Sequence, residues 1–70
     1  MIKLSEILYK LRKERKLTQE DIAKELQIGL RSYRRYESGE REPTASLLVQ
    51  MADFYNVSLD YLVGRSDKRK

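Results

Sequence analysis

Apolar residues recur along the chain at helical rather than strand spacing. Leu4, Leu8 and Leu11, with Ile7 beside them, fall at i, i+4 and i+7 and predict a first helix over roughly residues 3–15. Lys13, Arg15 and Lys16 sit in or just after its last turn, where the negative end of the helix dipole favours cations. Thr18-Gln19-Glu20-Asp21 has the make-up of a helix start, with a hydroxyl able to cap and acids in the first turn, Asp21 being a shorter form of the capping-box acid. Ile22, Ala23 and Leu26 then give a second helix over 19–26 one apolar face, and Gln27-Ile28-Gly29 breaks it. A third helix is expected over about 30–37, stopping at Ser38-Gly39 with Gly39 free to turn left-handed. After a loop from Glu40 to Pro43, Thr44 caps a fourth helix through Tyr55, with Leu48, Met51, Ala52 and Tyr55 on its inner face. Asn56 is an acceptable left-handed stop, and Ser58 caps a last short helix over Leu59–Val63, closed by Gly64. No run has strand alternation or a hairpin dipeptide. Five short helices joined by brief connections fit an all-α bundle.

Composition narrows what such a bundle can do. Seventy residues make one small domain. The chain has no cysteine and no histidine, which excludes disulfides, thiolate or imidazole metal sites, and Ser-His, Cys-His or His-metal catalysis. Neither enzymatic activity nor a cofactor is expected. The longest aliphatic run is Leu47-Leu48-Val49, far short of the ~20 residues of a membrane span, and Glu6 interrupts any signal-peptide reading. A soluble cytoplasmic chain without a membrane partner is the expectation.

Charge is uneven along the chain. The net +4 is mild, but residues 42–64 hold no Lys or Arg and three acids, whereas residues 29–41 hold four arginines against two acids. One stretch therefore suits a polyanion and the next suits protein.

The third helix sharpens this division. At about 100° per residue from Leu30, Arg34, Arg31 and Arg35 fall at about 40°, 100° and 140°, opposite Tyr36 at about 240° and Tyr33 at about 300°. One face is core, with each tyrosine hydroxyl expected at its rim. The other face is a row of guanidinium groups. Three like charges at i, i+3 and i+4 repel by a few tenths of a kcal/mol per pair, roughly, in an isolated helix, so a polyanionic partner is the economical explanation. The arginine fork can also grip guanine O6 and N7, or a phosphate, with two hydrogen bonds. A capped helix, a three-residue turn and a second helix with an exposed basic face is the layout of a helix-turn-helix. Gln19 then stands where the first helix of the pair meets a phosphate.

The segments Leu17-Thr18-Gln19-Glu20-Asp21-Ile22-Ala23-Lys24-Glu25-Leu26, Tyr33-Arg34-Arg35-Tyr36-Glu37-Ser38-Gly39 with Pro43, and Asn56-Val57-Ser58-Leu59-Asp60-Tyr61-Leu62 carry a wider likeness. Over about residues 4–64 the chain resembles the Cro/C1-type (XRE) helix-turn-helix regulators. The resemblance implies a five-helix, lambda-repressor-like DNA-binding domain, assigned to 1–64, and usually a homodimer on a near-palindromic double-stranded operator; residues 65–70, with four cations against one acid, are left as a basic tail. Carried over by position, Leu30, Arg31 and Arg35 face base edges, Arg34 flanks them, and Gln19 and the loop around Arg41 hold phosphates. The resemblance also pairs Arg12 with Glu37. That pairing agrees with the position of Glu37 near the core side of its helix, where an unpaired carboxylate costs several kcal/mol, roughly. The chain departs from the family pattern at Gln27, where glycine is common, and at Gly29, where a capping Ser or Thr is common. It departs again at Leu30, where a polar reader is usual, and at Glu40, which throws the loop's phosphate contact onto Arg41.

These readings converge on a sequence-specific DNA-binding regulator, a repressor acting by operator occupancy, since no sequence beyond the binding domain remains to carry activation. The alternative is an antitoxin or anti-regulator that holds a protein partner on the same scaffold. In residues 42–64, Leu47 and Phe54 widen the apolar stripe of the fourth helix; with Tyr61 and Val63 they form either more of the core or a dimer surface. The basic tail is expected to be solvated and mobile.

Overall fold

The computed structural model describes residues 3–70, so the first two residues of the expected domain lie outside the described residues. Helix α1 spans Leu4–Glu14, α2 Gln19–Leu26, α3 Leu30–Ser38, α4 Ala45–Tyr55 and α5 Leu59–Leu62, with no strand among the described residues. The sequence places each helix to within a residue or so.

Local chemistry sets the boundaries. At the start of α2 the Thr18 hydroxyl accepts from the Asp21 backbone N–H at 3.0 Å, and the Asp21 carboxylate accepts from the Thr18 N–H at 2.9 Å, a closed capping box. Thr44 caps α4 through the Leu47 N–H, and Ser58 caps α5 through the Tyr61 N–H. Gly39 ends α3 in the left-handed region at φ 84°, and Asn56 ends α4 there at φ 57°. Gln27 does the same for α2 at φ 58°, where a β-carbon is strained. Gly29 precedes α3 with no side-chain cap.

The core forms where α3 packs on α1 and α2, and α4 on α2 and α5. Leu8, Ile22, Tyr33, Met51 and Leu62 are its fully enclosed side chains. One expectation about the fourth helix is corrected. Leu47 rather than Leu48 is buried, because the 47, 51, 55 row faces the neighbouring helices while Leu48 is half-buried at the edge. Of the two readings left open for the widened stripe, the core takes most of it: Leu47 and Tyr61 belong to the core, and Phe54 packs against it with its ring covered by the Arg15 guanidinium 5.2 Å from its centroid. Val49 and Leu59 are the large apolar residues that α4 and α5 expose.

The tail is corrected too. Arg69 forms a two-pronged ion pair with Glu14 at 2.8 and 2.7 Å and lies over the Tyr61 ring, while its carbonyl accepts from the Ser58 backbone N–H. Residues 65–70 thus fold back across the start of α5 onto the end of α1.

Because Gln27 is exposed, makes no side-chain hydrogen bond and sits at φ 58°, Gln27→Gly is expected to raise unfolding free energy by about 0.5–1 kcal/mol. A urea midpoint that falls or stays unchanged would show that the position carries no strain.

Candidate nucleic-acid interface

A nearly enclosed ion pair ties α3 to α1, beside the buried Tyr33 and Tyr36. Arg12 of α1 donates from Nε to Glu37 Oε2 at 2.9 Å and from Nη2 to Glu37 Oε1 at 2.8 Å. Its remaining prong, Nη1, donates to the Leu17 carbonyl at 2.9 Å, tying the α1–α2 turn into the same unit. Both side chains are nearly enclosed, at 10% and 6% exposure. Burial opposes ionisation of Glu37, but the Arg12 fork outweighs it, aided by Tyr33 and Gln19, so the carboxyl lies below the usual range. The hydrogen bond to Glu37 in turn holds the Arg12 pKa above its ordinary value.

The pair expected from the resemblance is therefore present. The tyrosine expectation needs adjustment. Tyr33 and Tyr36 are core residues, but Tyr33 is fully enclosed and its hydroxyl is buried rather than at the rim. That hydroxyl and the Tyr55 hydroxyl lie buried without completing a hydrogen bond of good geometry. Burial pushes the Tyr33 phenol well above its ordinary value and the Tyr55 phenol up to about 12.

With Tyr33 and Tyr36 turned inward, Arg31, Arg34 and Arg35 are left exposed on the opposite side of α3. Leu30, at the first turn, is half-buried. Gln19 is half-buried at the start of α2 and reaches towards α3: its Nε2 lies 3.4 Å from Glu37 Oε1, and its Oε1 lies 3.4 Å from Arg34 Nε. These long contacts link the buried pair to the exposed arginine in the series Arg12, Glu37, Gln19, Arg34. Arg41 is exposed in the loop after α3, and the Glu40 and Arg41 backbone N–H groups donate to the Arg35 carbonyl at 3.0 and 3.3 Å. That anchor keeps the loop beside the end of α3. Gln19 and Arg34 are thus brought together, whereas Arg41 follows the end of α3 and lines a separate groove with Tyr36, Pro43, Leu48 and Val63.

Sequence reasoning did not single out Tyr9. This α1 side chain is 51% exposed, with the Arg12 and Lys13 cations 5.4 and 5.8 Å from its ring centroid. The signal was present in the i, i+3 and i+4 spacing of an aromatic and two cations. Among the described residues no cluster of acids could hold a metal ion, and no helix is long and apolar enough to cross a membrane.

Comparison with known proteins gives a consistent result. A family model described as "Helix-turn-helix" matches residues 8–62. The uncharacterized HTH-type transcriptional regulator YqaE of Bacillus subtilis is 44% identical over 66 residues, which are 93% of this chain and 57% of that protein. The cryptic phage CTXphi transcriptional repressor RstR of Vibrio cholerae is 45% identical over 64 residues, 91% of this chain and 57% of that protein. The chain thus spans a little over half the length of these relatives. A crystal structure of a transcriptional regulator from Listeria innocua superposes with a TM-score of 0.85 at 33% identity, covering 96% of this chain and 64% of the other.

The ionised form of Glu37 makes its contribution testable by pH. A carboxyl whose folded pKa lies below its unfolded value, about 4.3, contributes stability above that pH and loses it as pH falls through the folded value. The carboxyls of Asp21, which accepts from the Thr18 N–H, and Glu14, bonded by Arg69, are also lowered and act in the same window. Unfolding free energy is therefore expected to be level near neutrality and to decline below pH about 4.5. Glu37→Gln is expected to cost about 3 kcal/mol or more at pH 7, because it strands the enclosed Arg12 charge. Thermal unfolding across pH 2–7 checks the slope, and a loss at pH 7 of only a few tenths of a kcal/mol, roughly, would mean the pair is not structural.

Proposed function

The chain belongs to the Cro/C1-type (XRE) helix-turn-helix family, and on that premise we propose that it is a sequence-specific double-stranded DNA-binding transcriptional regulator. This is a family of DNA-binding proteins rather than enzymes. The observation that carries the proposal is the exposure of Arg31, Arg34 and Arg35 together on α3, with the enclosed Tyr33 and Tyr36 on its other side. A nine-residue helix fits a major groove about 12 Å wide. Arg31 and Arg35 read base edges through their two-pronged donors, with Leu30 beside them as an apolar contact for a thymine methyl. Arg34, held through Gln19, flanks them, while Gln19 and Arg41 engage backbone phosphates.

The regulator acts as a repressor by occupying its operator, a reading supported by the printed role of its relative RstR. It binds as a homodimer to a near-palindromic site in the cytoplasm, each copy presenting one α3 to one half-site. The arginines of 29–41 serve the DNA, while the second copy meets the stretch 42–64, which holds no Lys or Arg and exposes Val49 and Leu59.

Selection from random duplexes is expected to return a near-palindromic consensus with half-sites about one helical turn apart. On that consensus, Arg31→Ala or Arg35→Ala should cost about 1–3 kcal/mol and relax preference at one or two positions. Arg41→Ala should weaken consensus and random DNA alike and reduce the salt slope by about one. Unchanged binding by all three variants would remove the assignment of this face. A stoichiometric protein partner with negligible duplex affinity would favour the antitoxin alternative.

A further inference from the structure

The position of Tyr9 extends the interface beyond the helix-turn-helix pair. Its ring is exposed although Ile7, Leu8 and Leu11 on the same helix are buried, so the core does not account for it. Nor does it hang free. The Arg12 guanidinium beside it is immobilised by Glu37 and the Leu17 carbonyl, and Lys13 approaches the ring as well. An aromatic ring held against a fixed cation has little freedom left to lose when its hydroxyl meets a ligand.

Its surroundings indicate which ligand. Tyr9 lines an open groove with Gln19 and Arg34, two residues of the proposed DNA face. Gln19 also borders a neighbouring groove with Lys13 and Lys16, both exposed and outside any ion pair among the described residues. Gln19 is therefore the junction of a continuous strip that runs along α1 through Lys16, Lys13 and Tyr9 and meets α3 at Arg34. Two carboxylates border the Tyr9 groove. Glu37 is neutralised by Arg12, whereas Glu6 is exposed and one turn earlier on α1, so an anion approaches from the Lys13 side.

We propose that Tyr9 and Lys13 bind a backbone phosphate of the same duplex that α3 enters, Tyr9 donating its phenolic hydrogen and Lys13 supplying charge. This rests on the DNA-binding reading above and adds a contact from α1. The contact is blind to sequence, since every nucleotide carries the phosphate.

Fluorescence anisotropy with the full chain tests it, using the selected consensus and a random duplex at two salt concentrations. Tyr9→Phe keeps the ring and deletes only an exposed hydroxyl, so folding is undisturbed. It should weaken both duplexes by about two- to tenfold with the salt slope unchanged. Lys13→Gln should weaken both and make the slope shallower by about one. Wild-type affinity for Tyr9→Phe on both duplexes, with Arg35→Ala still relaxing base preference, would overturn the α1 contact and leave the DNA-binding reading standing. Failure of the wild-type chain to bind either duplex would overturn both.

Discussion

The fork between Arg12 and Glu37 is the constraint on which the interface depends. It joins the end of α1 to the end of α3 through two short hydrogen bonds and uses the third guanidinium prong to fix the turn before α2. A nearly enclosed charge pair is not a cheap source of stability, because both ions lose water. Its value lies in geometry. With all three nitrogens of the Arg12 guanidinium engaged, α3 has little latitude to rotate about its axis, and rotation by one residue would move an arginine towards the core and a tyrosine towards solvent.

The division of α3 follows from that fixed orientation. The inward side supplies the enclosed Tyr33 and Tyr36, and the outward side supplies three arginines whose mutual repulsion a polyanion relieves. Gln19 stands between the two regimes, close to both Glu37 and Arg34, so the buried pair and the exposed face are in electrostatic contact. The loop bearing Arg41 is tied to the Arg35 carbonyl by two backbone donors, which places another cation beside the end of the same helix. Rigid backbone anchors under long flexible side chains suit the proposed role of this surface in matching phosphates at fixed spacing.

Much of this was legible before any coordinates. Thr18 with Asp21, Thr44, Ser58, Gly39, Asn56 and Gly64 announce helix ends because capping and left-handed turns depend on the chemistry of one or a few adjacent residues. The wheel of α3 was legible for the same reason: its two faces differ sharply in polarity over only nine residues. The α4 wheel was not, since Leu47, Leu48, Met51, Ala52, Phe54 and Tyr55 make an apolar arc too broad to reveal which edge faces inward. Nor does any local pattern show that Arg15 covers Phe54 and Tyr55, or that Arg69 reaches Glu14. Those partners lie far apart in the chain, Arg15 from Phe54 by 39 residues and Glu14 from Arg69 by 55, where several cations and several rings compete equally well on paper.

The sequence by itself determined the number of helices, their ends, the arginine face of α3 and the absence of thiol and imidazole chemistry, because each depends on residue type and short-range periodicity. Only the tertiary structure decided which apolar residues are spent on the core, that the Tyr33 hydroxyl is buried, that the tail returns to α1, and that Tyr9 stands beside Gln19 and Arg34. The physical reason is that helix periodicity specifies a direction around an axis, whereas the packing of one axis against another specifies what lies in that direction.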